Sequence, residues 1–359
     1  VVACPCVIGL ATPVALAAGL NKAARNHILI RDTSALEQMR NVDVVVFDKT
    51  GTLTEGHPTV IGWLWAQGQE EHYKDVLLAA ESTSDHPLAE AIVTALEGEE
   101  QVIPAHLDGF ESIAGKGVRV AYQGAEYWVG SHKLLKDYQA NLSDILADML
   151  TQYESDGNSI VYFGRENDLL AVIAIKDQLR VTSMEAIREL RTQDIEICML
   201  TGDGERTASS VAGSLGIMRF VADAMPDDKE DFIHKLQLQG KTVAMVGDGV
   251  NDAQALSCAD VSIAMGKGTD TLMDTAMITL RTSDLLLLPK VFRLSRQTVS
   301  LMYRNLFWAF IYNTVGIFVA AGVLYPVYDI LLSPALAGAA MALSCVSVAL
   351  SSLRLSSRF

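Results

Sequence analysis

Apolar runs that stop on hydroxyl, glycine or carboxylate residues recur along this chain. Val42–Phe47, interrupted only by Asp43, ends at Asp48-Lys49-Thr50-Gly51-Thr52, and Ile195–Leu200 ends at Thr201-Gly202-Asp203. Thr242–Val246 ends at Gly247-Asp248-Gly249-Val250-Asn251-Asp252. Short apolar runs bounded by turn residues predict buried strands. Val261–Met265 and Ile278–Leu280 predict two more. Helical periodicity lies between them over Val181–Gln193, Glu205–Leu215 and Asp227–Gln239. Strands alternating with helices predict a parallel sheet with right-handed crossovers.

Residues 59–175 have a different pattern. Tyr73–Leu96 reads as helical, interrupted at Ser84-Asp85-His86-Pro87, where proline after Ser and Asp predicts a helix start for Leu88–Leu96. Val118–Tyr122 and Tyr127–Val129 flank a Gly124 turn; Ser159–Phe163 and Leu169–Ile175 flank Arg165-Glu166-Asn167-Asp168. Two hairpins and helices predict an inserted α+β domain with an antiparallel sheet. Gly115-Lys116-Gly117 reads locally as a turn, and no Walker-type loop occurs.

Both ends of the chain are apolar. Residues 1–20 lead into Asn21, Lys22 and Arg25, as at the end of a membrane helix, and the start without methionine reads as the C-terminal portion of a longer protein. Leu306–Leu324 and Ile330–Ser352 carry no charge and are each long enough to span a bilayer. Basic residues flank the pair on the outside (Lys290, Arg293, Arg296, Arg304; Arg354, Arg358), and Tyr325–Asp329 between them has no Lys or Arg. That asymmetry predicts a membrane hairpin with both outer flanks, and the polar block, in the cytoplasm.

Half of the 359 residues are hydrophobic, and the net charge is −15. Such acidity argues against a nucleic-acid partner. Five scattered cysteines form no disulfide framework. Cys4-Pro5-Cys6 is distinctive: proline should break the helix, and the flanking thiols present two soft ligands for one ion.

The three strand ends carry the chemistry. A parallel sheet brings its carboxyl ends to one edge, where α/β folds bind ligands. There Asp48 could attack a phosphoryl group as a covalent nucleophile. Asp48, Asp248 and Asp252 could hold Mg²⁺. Thr201 and Lys229 could orient and neutralise the phosphoryl oxygens.

Asp48-Lys49-Thr50-Gly51-Thr52-Leu53-Thr54, Thr201-Gly202-Asp203 and Gly247–Asp252 together resemble the P-type ATPases, across essentially the whole chain. Cys4-Pro5-Cys6 and Ser84-Asp85-His86-Pro87-Leu88 narrow the resemblance to the heavy-metal-transporting (type IB) branch. It implies a haloacid-dehalogenase-like, Rossmann-like phosphorylation domain over 26–58 and 176–290, a nucleotide-binding domain over 59–175, and transmembrane helices at 1–25 and 291–359. It implies that Asp48 is autophosphorylated, with Lys49, Thr50, Thr201, Gly202, Asp203, Lys229 and Asn251 around it and Mg²⁺ at Asp48, Thr50, Asp248 and Asp252. Glu81, His86, Gly115 and Gly117 would contact ATP.

Tyr312-Asn313 and Met341-Ala342-Leu343-Ser344 look like copper(I)-pump motifs. With Cys4 and Cys6 they imply a Cu⁺ site. Absence of Asp and Glu from both C-terminal spans points the same way, since Zn²⁺ would want a compensating carboxylate. Ag⁺ is equivalent on these grounds, and a chaperone would deliver the ion. Asp85, Gln254 and Cys345 depart from the pattern; Cys345 reads as a small buried thiol. The alternatives are a Zn²⁺/Cd²⁺ pump, a membrane-tethered phosphatase of the same fold, or a metal sensor without turnover.

Overall fold

The structure, a computed structural model, describes residues 6–66, 70–84, 86–99, 102–140, 144–248, 252–266, 275–323 and 333–357. Side chains of 6–8, 70–72, 144–147, 334, 341, 356 and 357 are outside that description.

A seven-stranded sheet carries the first strand pattern. Its strands are β1 (Ile28–Ile30), β2 (Val44–Asp48), β9 (Glu196–Leu200), β10 (Arg219–Val221), β11 (Val243–Gly247), β12 (Val261–Met265) and β13 (Ile278–Leu280). Their order is β1-β13-β12-β11-β2-β9-β10, parallel except for the β1–β13 edge pair. Every residue of β2, β11 and β12 is buried, as expected of strands covered on both faces. One cover includes α2 (Ser34–Met39), α7 (Ser183–Arg191) and α8 (Glu205–Leu215); Ile233 and Leu236 of α9 (Pro226–Leu238) and Leu256 of α10 (Ala253–Cys258) pack on the other.

The second sheet is antiparallel, in the order β3-β8-β7-β6-β5-β4. Its strands are β3 (Thr59–Trp65), β4 (Gly109–Ile113), β5 (Gly117–Tyr122), β6 (Ala125–Gly130), β7 (Ser159–Arg165) and β8 (Asp168–Lys176). Both predicted hairpins occur, as β5–β6 and β7–β8. Helices α3 (Glu70–Glu81) and α4 (Pro87–Glu97) cover one face; α5 (His132–Asp137) and α6 (Asp144–Ser155) contribute to a separate core on the other. The α4 start differs in detail from expectation. Its cap is His86, whose Nδ1 accepts the Leu88 N–H at 3.2 Å, with Pro87 in the first turn.

Among the described residues the other helices are α1 (Cys6–Arg25), α11 (Leu287–Ala320) and α12 (Pro334–Ser357), with α1 packed on both others. Gly19 permits the α1–α11 approach, because a methyl group there would lie 2.6 Å from Thr298 Oγ1. Polar bonds join the helices as well, from Asn305 Nδ2 to Ser352 Oγ (3.2 Å) and from Ser351 Oγ to Asn305 Oδ1 (3.1 Å).

Among the described residues one helical segment, Ala335–Leu355, is long and apolar enough to cross a membrane. The expected Leu306–Leu324 span is helical through Ala320 and forms the distal half of the 34-residue α11. The proximal half, Leu287–Leu294, is part of the parallel-sheet core. One helix therefore runs from that core into the helical bundle. The Cys-Pro-Cys break lies outside the described residues.

Candidate active site

The central position of β2 builds the site. Phe47 pairs with Val246 of β11 on one side, and Asp48 pairs with Leu200 of β9 on the other. Parallel register thus puts Asp48, Thr201 and Asp248 on one crest although they are distant in sequence. After Asp48 the chain turns over Lys49–Leu53, with Gly51 at φ +69°. Only glycine serves there, since a methyl group would sit 1.4 Å from Asp248 Oδ2. The Gly51 N–H donates to Thr54 Oγ1 at 2.9 Å, and Arg180 Nε donates to the Thr52 carbonyl at 3.0 Å.

Lys229 comes from α9, which starts at Pro226 and is capped where the Met225 N–H donates to Asp228 at 2.9 Å. Its buried Nζ donates to Asp48 Oδ1 at 2.6 Å and to Asp252 Oδ1 at 2.7 Å. Burial pulls the ammonium down, but the two carboxylates outweigh it and hold Lys229 above its ordinary value. Carboxylate oxygens of Asp48, Asp248 and Asp252 lie within 4.8 Å of one another. Burial first, then the neighbouring acids, pushes Asp248 and Asp252 up to about 7. Negative charge thus exceeds what one lysine balances, and three converging hard oxygens suit a Mg²⁺-class cation.

A second ion pair stands beside the first. Lys49 contacts Asp203 and donates to Ser159 Oγ at 3.0 Å, while Thr201 Oγ1 donates to Asp203 Oδ2 at 3.0 Å. Burial opposes ionisation of Asp203, but Lys49 leads the groups that hold its carboxyl below the ordinary range. Asp48, Lys49, Thr50, Thr201, Gly202, Asp203, Lys229, Asp248 and Asp252 therefore share one crest; Asn251 lies outside the described residues. Ser159 and Arg180 escaped the sequence reading. One begins an ordinary strand and the other is an isolated arginine, so neither carries a local signal.

The antiparallel domain faces this crest. Gly115 (φ +66°) and Gly117 (φ +144°) form the β4–β5 turn, and a methyl group on Gly115 would meet Met225 Cε at 3.0 Å, just before α9. His86 lies at the cleft. Desolvation lowers its pKa, with Asp203 and Asp48 acting against that and Lys49 and Lys229 with it. Glu81, at the end of α3, is buried.

Burial pushes the Glu81 carboxyl up to about 7 from 4.5. Folded Glu81 then keeps a proton between those values that the unfolded chain has released. The contribution of Glu81 to stability is accordingly full below pH 4.5, falls as pH rises, and is lower by roughly 3 kcal/mol above pH 7. Glu81→Gln will flatten this part of the profile in thermal melts between pH 5 and 8. An unchanged slope in the variant would exclude Glu81 as its source.

The residues implied for a transported ion are less gathered. Tyr312 is half exposed and stacks on Trp308 at 5.7 Å, and Asn313 and Ser344 are half-buried. Cys4 and the side chains of Cys6 and Met341 lie outside the described residues. Cys345 packs beside Ala11, Ala309 and Val348 where the three helices meet.

The parallel sheet, its crest and the inserted domain define a class: an α/β domain whose strand-end carboxylates and lysines suit phosphoryl chemistry. A family profile described as haloacid dehalogenase-like hydrolase matches residues 42–260. A copper-exporting P-type ATPase of Legionella pneumophila is 42% identical over 99% of this chain and 48% of its own length. A silver exporting P-type ATPase of Salmonella typhimurium is 44% identical over 99% of this chain and 43% of its own. The crystal structure of a zinc-transporting PIB-type ATPase in the E2.Pi state superposes with a TM-score of 0.69 at 34% identity, covering 99% of this chain and 56% of that one. The nucleotide-studied catalytic domain of the CPx-ATPase CopB-B gives 0.63 at 28% identity, over 76% of this chain and 97% of that one. The chain belongs to the haloacid dehalogenase-like hydrolases, and over nearly its whole length it is similar to heavy-metal P-type ATPases. It spans less than half the length of these curated relatives.

Proposed function

We propose that this chain is the catalytic and C-terminal membrane portion of an ATP-driven Cu⁺ or Ag⁺ exporter that works through an aspartyl phosphate at Asp48. The observation that carries this reading is Asp48 at the centre of the crest, with Lys229 on one carboxylate oxygen and Asp248 and Asp252 beside it. Residues 26–58 and 176–290 act as the phosphorylation domain and 59–175 as the nucleotide-binding domain.

ATP enters the cleft between the sheets, with Glu81, His86, Gly115 and Gly117 on the nucleotide side. An Asp48 oxygen attacks the γ-phosphorus, a new P–O bond forms, the bond to the β-phosphate oxygen breaks, and ADP leaves. Lys229 fixes the other carboxylate oxygen, so attack begins from one orientation. Thr201 and the Lys49–Asp203 pair line the adjacent strand end and orient the phosphoryl oxygens. Bound at Asp48, Thr50, Asp248 and Asp252, Mg²⁺ supplies charge neutralisation of the transferred phosphoryl group.

For the ion, we infer Cu⁺ or Ag⁺ at Cys4, Cys6, Tyr312, Asn313, Met341 and Ser344, delivered by a metallochaperone. Support comes from the thiol, thioether and uncharged donors, from the lack of Asp and Glu in both spans, and from the copper- and silver-exporting relatives. Likeness to a zinc-transporting structure keeps Zn²⁺ as the second reading. Helix α11, rooted in the sheet core and packed on α1, is the element through which phosphorylation reaches the ion site. The protein is then multi-pass, with both catalytic domains in the cytoplasm.

The test uses the full-length parent under reducing conditions, comparing ATPase rates with Cu⁺, Ag⁺ and Zn²⁺. Stimulation by Cu⁺ and Ag⁺ is expected, with loss of the response in Cys4→Ser/Cys6→Ser. Stimulation by Zn²⁺ alone would overturn the ion assignment.

A further inference from the structure

Away from the crest, three metal-ligating side chains of different type converge on the outer surface of the same domain. Glu230 and His234 are one turn apart on α9, and Cys258 is the last residue of α10. A ligand atom from each lies within 4.8 Å of the other two, and His234 Nε2 is 3.5 Å from Glu230 Oε1. Bonds of about 2.0–2.3 Å in a tetrahedron place ligand atoms roughly 3.3–3.8 Å apart, so the His–Glu separation already matches.

Hydrogen bonding around the cluster prepares the imidazole. Gln237 Nε2 donates to the Cys258 carbonyl at 2.9 Å, which turns its Oε1 toward His234 Nδ1, 3.1 Å away. Since that oxygen only accepts, Nδ1 carries the ring proton and Nε2 keeps its lone pair toward Glu230. An outer amide that fixes the tautomer of a ligating histidine is the usual companion of a metal site. The same amide also ties down the backbone of Cys258.

We propose that Glu230, His234 and Cys258 bind one borderline thiophilic divalent ion of the Zn²⁺ class, bridging α9 to α10, with water as fourth ligand. The donor set decides the class. Thiolate and imidazole disfavour Mg²⁺ and Ca²⁺, and the carboxylate disfavours Cu⁺. On binding, the Cys258 thiol gives up its proton to solvent. Lys229 neighbours Glu230 on α9, and Asp252 immediately precedes α10. A loaded site thus ties together the helices that position the two ends of the Lys229–Asp252 ion pair. This assignment is independent of which ion the membrane helices carry.

Co²⁺ serves as the probe, because a thiolate ligand produces a sulfur-to-cobalt charge-transfer band. The full chain is used with Cys4→Ser/Cys6→Ser, and excess Mg²⁺ occupies the carboxylate crest. One Co²⁺ equivalent with that band, displaced by one Zn²⁺, is expected. Cys258→Ser should remove the band, and His234→Ala, at an exposed position, should weaken Zn²⁺ affinity at least as much as Gln237→Ala. Gln237→Ala should weaken it about tenfold or more through the histidine alone. A band that survives Cys258→Ser, its absence from the background chain, or unchanged affinity in both His234→Ala and Gln237→Ala would overturn the proposal.

Discussion

Asp48→Asn will eliminate hydroxylamine-labile phosphate incorporation from ATP while leaving the chain folded. The amide oxygen still accepts from Lys229, which lies 2.6 Å from Asp48 Oδ1, so the buried ammonium keeps a partner there as well as Asp252. The substitution also removes one of three acids within 4.8 Å of each other. Because the Asp48 charge is, after burial, the leading cause of the raised Asp248 and Asp252 values, both should fall toward the ordinary carboxylate range. Stability should therefore equal or exceed that of the parent. Chemistry cannot survive in the same way, because the neutral amide is a poor nucleophile. In the full-length parent, metal-stimulated ATPase should fall by roughly four orders of magnitude or more, the scale of losing a nucleophile. Both outcomes are read together, from acid-gel phosphate labelling and a thermal melt. Label retained by a folded variant would place the acceptor on another residue.

What was legible in the sequence follows from what is local. Val44–Phe47, Glu196–Leu200 and Val243–Val246 are wholly or mostly apolar because their strands are covered on both faces, and that pattern needs no tertiary knowledge. Convergence of Asp48, Thr201 and Asp248 followed from parallel order alone. Lateral order did not. Nothing in Val42–Phe47 says that β2 lies between β11 and β9, or that β1 and β13 close the edge antiparallel. Ser159 was invisible for the same reason, since a serine opening a strand of another domain reaches Lys49 only in three dimensions. The start of the long helix α11 has no mark in the sequence. Lys290, Arg293 and Arg296 look like flanks of a span, yet they are interspersed with Val291, Phe292 and Leu294, which face the sheet core. A helix that is amphipathic first and more uniformly apolar later has no boundary in its backbone, only in its surroundings.

The crest's charge balance makes Lys229→Met the most damaging single change to the fold of the site. Lys229 Nζ is the shared donor to Asp48 and Asp252 at 2.6 and 2.7 Å, and all three groups are buried. Methionine keeps much of the volume but strands two carboxylates, and removing one partner of a buried ion pair costs about 3–5 kcal/mol. A thermal melt of the full chain near pH 7.5 without divalent cation should show a lower midpoint than the parent. Phosphorylation should fall too, because Asp48 loses the contact that orients it. Geometry and charge separate in a double variant. Lys229→Met/Asp252→Asn removes the stranded charge of Asp252 and should regain a large part of the lost stability, since a neutralised pair costs less than a broken one. Phosphorylation should not recover alongside it, as Asp48 still lacks its lysine. Melts of Lys229→Met, Asp252→Asn and the double variant, with the parent, make a closed cycle whose coupling between Lys229 and Asp252 should be strongly favourable, whereas additive effects would mean that the two groups do not sense each other. A Lys229→Met protein that melts with the parent would show that the lysine is no counter-charge to the buried aspartates.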